Sequence, residues 1–164
     1  MTSFTMLKSM VDQLSDHGLP EDDKEQIIHC IAENQRYVHT FFKYHLSWNS
    51  ECIYHCLSHA LSDGTKAFTK KCHHDHSTEH DCHYCQILAN IVAAMDQLLE
   101  TYRESLGERT YKQWSLDLRK SYSKILEYKY HLMRSFCQTS AWEKLIAESD
   151  GKTVFVIMDW AMKM

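Results

Sequence analysis

Residues 72–85 read CHHDHSTEHDCHYC, which puts three cysteines and five histidines into one short segment. Most of the segment lies within a stretch of about 20 residues, 65–83, that has no apolar periodicity and is longer than a compact domain ordinarily leaves to a loop without something to order it. A stretch with many metal donors and few core residues gains order most directly by closing on an ion. Zinc takes four nitrogen or sulfur donors in a tetrahedron. Cys82-x2-Cys85 is the usual thiolate pair, placed where the next helix begins and where the positive end of the helix favours a thiolate. Two more ligands are expected from Cys72, His74 and His76. Cys72 with His76, three residues between them, is favoured, and His74 with His76 is the alternative. His80 and His83 are weaker candidates, because His83 sits between the paired cysteines and would point away. A catalytic zinc would need an open position and a base. Glu79 is at hand, but the zinc-deaminase order, with a Glu two residues after its His and the cysteine pair far downstream of a proline, is absent. A closed structural site is expected.

Around this segment the chain reads as helical. With only 4 Gly and 1 Pro among 164 residues, and 44% hydrophobic residues, it favours long helices over a loop-rich or all-β fold. A first helix over about 3–17 carries Leu7, Met10, Val11 and Leu14 on one face. A second, started by Pro20 and the acids after it, runs to about residue 46 with Ile27, Ile28, Ile31, Val38, Phe41, Phe42 and Leu46. A third is expected from residue 49 or 50 to the Asp63-Gly64 pair. The fourth carries Ile87, Leu88, Ile91, Val92, Met95, Leu98, Leu99, Tyr102 and Leu106, and Gly107 stops it. The fifth carries Trp114, Leu118, Tyr122, Ile125, Leu132 and Phe136 and continues to about residue 148. After a turn at 149–152, residues 153–158 form a β-branched, apolar run that reads as a strand buried on both faces. The expected fold is mainly α: about five helices, a zinc-binding loop between helices three and four, and one C-terminal strand. Residues 1–148 would form the zinc-stabilised domain, and residues 149–164 would begin another.

Charge and cysteine content narrow the setting. The net charge is −4, and a domain held to nucleic acid by phosphate contacts would ordinarily be basic. No segment reads as a signal peptide or a membrane span. An intracellular location, nuclear or cytoplasmic, keeps the seven cysteines reduced, and their odd number fits poorly with a closed disulfide framework.

Two further groups deserve a reading. Cys52, His55, Cys56 and His59 are spaced so that each like pair shares a helix face; they read first as small core cysteines flanked by histidines, and second as a metal pair or as support for the zinc loop. Tyr128, Lys129, Tyr130, His131 and Arg134 read first as a solvated helix face, and second as a basic-aromatic strip for single-stranded nucleic acid.

Three pieces in order carry a family resemblance: Leu61-Ser62-Asp63 after a Cys/His-bearing helix, the CxHxH…CxxC cluster, and the run Met158-Asp159-Trp160-Ala161-Met162-Lys163. Over roughly residues 50–164 the chain resembles a group of uncharacterised, transposon-derived animal proteins of DDE-transposase type. The resemblance implies an RNase H-like catalytic domain in which Asp159 is the first acid and carboxylates hold Mg2+ for phosphodiester cleavage. It implies DNA as a partner, and self or another protein as an assembly partner. The chain stops five residues after Asp159, so no second or third acid follows, and it is expected not to cleave DNA alone. The alternative is a freestanding, zinc-dependent protein-interaction module.

Overall fold

The structure is a computed structural model that describes residues 2–62, 72–76, 82–150 and 152. The fold is mainly helical, with six α-helices among the described residues: α1 (Ser3–Leu14), α2 (Glu21–Arg36), α3 (Leu57–Leu61), α4 (His83–Thr101), α5 (Arg103–Leu106) and α6 (Glu108–Ala147). The C-terminal strand expected at 153–158, with Asp159 after it, lies outside the described residues.

The periodic segments fold as their patterns require. Thr2 caps α1 by accepting from the Thr5 backbone N–H at 3.2 Å, and Leu7, Met10, Val11 and Leu14 are all buried. Gly18, at φ 103°, turns the chain into α2. Pro20 and the acids Glu21, Asp22 and Asp23 open that helix as expected. Helix α6 has 40 residues and is about 60 Å long at 1.5 Å per residue. It packs on α1, α4 and α3, while α2 packs on α1 and α4. The core therefore lies between one long helix and three shorter ones, and it includes Leu7, Ile31, Met95, Leu99 and Leu118.

Three expectations are modified. First, helix two leaves α geometry at Arg36: a π turn over Tyr37–Phe41 and a 3-10 turn over Phe42–His45 follow. The wider turn moves Phe41 off the apolar face, and it is 48% exposed, while Tyr37, Val38 and Phe42 stay buried. Second, the fourth helix begins at His83 and breaks at Tyr102 before α5, and Gly107 at φ 76° separates α5 from α6. Third, no long helix starts at residue 49 or 50. Ser47 pairs with Cys56 in an isolated parallel bridge, Ile53–His55 forms a 3-10 turn, and α3 begins only at Leu57. Cys52 (φ −72°, ψ 117°) and Cys56 (φ −79°, ψ 109°) are both extended, so their side chains do not share a helix face.

The buried stripe of α6 is Leu118, Ser121, Ile125, Lys129 and Met133. Leu132 is only partly buried and Phe136 is exposed. Residues 138–147 of α6 are all exposed. Among those residues no helix is long and apolar enough to cross a membrane.

Leu118 is fully buried and Leu145 is 50% exposed. Leu118→Ala is expected to cost about 2–5 kcal/mol and Leu145→Ala under about 0.5 kcal/mol in urea unfolding followed by circular dichroism. Equal losses would contradict this packing of α6.

Candidate metal centre

The chain brings its donors together from four separate segments. Cys56 Sγ, His74 Nδ1, Cys72 Sγ and His76 form one group whose ligand atoms all lie within 4.8 Å of one another. Cys56 Sγ stands 3.8 Å from Cys72 Sγ and 3.3 Å from His74 Nδ1, and Cys72 Sγ stands 3.5 Å from His74 Nδ1 and 3.3 Å from His76 Nε2. Zinc bonds of about 2.3 Å to sulfur and about 2.0 Å to nitrogen at tetrahedral angles place sulfur pairs about 3.8 Å apart and sulfur–nitrogen pairs about 3.5 Å apart. These four separations match four of the six edges of such a tetrahedron, and the remaining two lie within 4.8 Å. These cysteines and histidines are therefore arranged so that they could hold a metal ion.

The local chain explains the arrangement. Cys56 caps α3, its sulfur accepting from the His59 backbone N–H at 3.4 Å. His76 turns its Nε2 toward Cys72, while its Nδ1 lies 2.9 Å from the carbonyl oxygen of Glu51 and donates to it. A backbone acceptor behind a ligating imidazole fixes both its tautomer and its ring orientation. Burial opposes charge on Cys72, but the His74 backbone N–H, the His76 ring and Cys56 bring its thiol below the ordinary range. Burial likewise opposes charge on His76, and the Glu51 carbonyl and Cys72 raise its pKa. Both shifts favour charge on the pair, and an imidazole must be free of its ligating-nitrogen proton to bind a metal.

A second concentration of donors lies deeper. Cys52, His55 and Cys85 form one group within 4.8 Å, and His45, His55 and Cys82 form another. His55 belongs to both and is buried. Its Nε2 lies 3.4 Å from Cys85 Sγ and 2.9 Å from the Tyr37 hydroxyl. That hydroxyl also lies 2.9 Å from His45 Nδ1. Burial pushes the Tyr37 hydroxyl up, which keeps it protonated as a bridge between the two rings. A hydrogen bond from Cys85 pushes Cys52 down, and the same bond pushes Cys85 up, so the pair shares one proton.

The five candidates, from which Cys82, Cys85 and two of Cys72, His74 and His76 were expected to share one ion, thus stand in different groups. Cys72, His74 and His76 stand together with Cys56, while Cys82 and Cys85 stand with Cys52, His55 and His45. Glu79 and His80 lie outside the described residues, and His83 is exposed beside the Tyr84 ring. Cys52 and Cys56 are small buried cysteines, as their first reading has it, and donors as well; His59 lies against His76, with ring centroids 5.4 Å apart, without joining a group. Lys129 is neither solvated nor free for a nucleic acid: it is 3% exposed, and its Nζ stands 3.0 Å from Cys85 Sγ. All seven cysteines are free thiols. No family model matches the chain, and no curated protein or solved structure is found similar to it.

Sequence reasoning passed over Asn34, a polar residue on the buried face of α2. Its amide donates to the Tyr84 carbonyl at 2.7 Å and holds the first turn of α4, on which Cys82 and Cys85 sit. Asn34→Ala is expected to lower stability by about 1–3 kcal/mol in chemical unfolding and to weaken metal retention in a chelator competition. Full stability with unchanged retention would contradict a positioning role.

Proposed function

We propose that this chain is a zinc-dependent helical scaffold in which the metal is structural. The observation that carries this reading is the tetrahedral spacing of Cys56, Cys72, His74 and His76. Two thiolates and two imidazoles are the donor set of structural zinc rather than of magnesium or calcium, which prefer oxygen. Four protein donors leave no open position for substrate or water, which argues against hydrolytic or deaminase chemistry at this group. The ion would tie residues 72–76 to the start of α3, and through Glu51 to the chain that leaves α2.

The scaffold serves assembly more readily than phosphate binding. A net charge of −4 gives little attraction to a DNA backbone. The last turns of α6 leave Trp142, Leu145 and Ile146 exposed at 39%, 50% and 61%, and Trp48 and Leu61 are exposed beside the same helix. The resemblance of residues 50–164 to transposon-derived proteins supports placing this scaffold ahead of an RNase H-like catalytic domain, with Asp159 as its first acid and Mg2+ as its ion. In that setting the scaffold would bring subunits, and with them DNA ends, together. A freestanding interaction module is the second reading, and the acidic balance favours it.

Chelation of the purified protein is expected to lower its thermal midpoint by about 10 °C, with recovery on adding zinc but not magnesium. An unchanged midpoint would contradict a structural metal. Sedimentation over a range of concentrations tests assembly: association that Ile146→Asp abolishes supports it. A strict monomer that binds duplex DNA with a steep salt dependence contradicts assembly and favours DNA binding.

A further inference from the structure

We propose that the chain holds a second zinc ion, bound by Cys52, His55, Cys82 and Cys85, with Lys129 as the buried counter-charge to its three thiolates. The inference rests on the structural-zinc reading and extends it from one ion to two.

The ligands come as two short pairs, Cys52-x2-His55 and Cys82-x2-Cys85. Each pair sits on a tight turn. His55 closes the 3-10 turn after Cys52, its backbone N–H donating to the Cys52 carbonyl at 3.0 Å. Cys82 is the N-cap of α4, and the Cys85 backbone N–H donates to the Cys82 carbonyl at 2.8 Å. The two turns meet at His55, which stands in one donor group with Cys52 and Cys85 and in another with His45 and Cys82, so Cys82 would close on the other three when the ion binds. In sequence the first site, residues 56 and 72–76, is nested inside the second, residues 52–55 and 82–85. Adjacent residues His55 and Cys56 go to different ions because Cys56 is extended.

Charge separates the two sites and selects the ligands of the second. At the first, two thiolates and a dication cancel. At the second, three thiolates and a dication leave one negative charge in a buried place, which is costly without a partner. Lys129 is that partner. It lies on the core stripe of α6, where an apolar residue would be expected, with Nζ 3.0 Å from Cys85 Sγ and over the Phe42 and Tyr54 rings at 5.0 and 4.6 Å. Its contacts among the described residues are this sulfur and these ring faces, not a carboxylate. A neutral set of His45, His55, Cys82 and Cys85 would leave the Lys129 ammonium buried without a counter-charge. Cys52 is therefore the fourth ligand, and His45 stays on the Tyr37 hydroxyl.

Native mass spectrometry of the unaltered chain, purified without added metal and then exposed to zinc with the excess removed, tests this directly. Two zinc ions per chain are expected. One ion overturns the second site and leaves the structural-zinc reading standing; none overturns both. Cys52→Ser is expected to keep one ion and His45→Ala two, and the reverse pattern overturns the ligand assignment. Lys129→Met is expected to weaken the second ion about 10–100-fold while leaving the first unchanged, read by competition with a chromogenic chelator. Unchanged affinity at both sites overturns the role given to Lys129.

Discussion

Sulfur and imidazole donors from distant parts of the chain converge at one end of the helical core, and the fold around them depends on that convergence. The helices α1, α2, α4 and α6 bury apolar stripes against one another and need no further help. The chain from Ser47 to Cys56 and at 72–76 has little to bury. Its order rests on an isolated bridge, two short turns and the contacts of Cys52, His55, Cys56, Cys72, His74 and His76. A soft dication held by these donors, as proposed, would supply there what apolar area supplies elsewhere, a free-energy gain that fixes the segment and is absent from the unfolded chain.

The core gives that end a rigid base. Asn34 on α2 holds the first turn of α4, Tyr37 leaves α2 through a π turn to reach both His45 and His55, and Lys129 on α6 reaches Cys85. Helices α2 and α6, and the π turn that follows α2, thus position the deeper donors. The outer group of Cys56, Cys72, His74 and His76 leans instead on backbone, through Glu51 and the cap of α3. Precision taken from packed helices suits a permanent structural centre, whose rotamers stay fixed.

Much of this was legible in the residues. The stripe of α1 and the opening of α2 are the periodicity and start signals of the sequence, and the donor density at 72–85 pointed to a metal. The partners of those donors were hidden. Cys52 and Cys56 are four apart, a spacing that suggests one face of a helix, and only the extended backbone at both residues sends them to different groups. A buried cysteine also serves equally as a small core residue and as a ligand, so composition cannot separate the roles. Lys129 sits between tyrosines in a polar-looking stretch; its burial follows from the face of α6 that meets α4, which depends on tertiary packing. Phe41 was misplaced because a π turn adds a residue that a 3.6 period does not foresee.

Zinc K-edge X-ray absorption of the loaded protein tests the central claim most directly, because it reads the donors and not merely the presence of metal. Five thiolates and three imidazoles over two ions predict a mixed shell, with sulfur at about 2.3 Å and nitrogen at about 2.0 Å and no bound water. A shell dominated by oxygen would contradict a closed structural centre, and the Cys/His convergence would then have to be explained as packing alone.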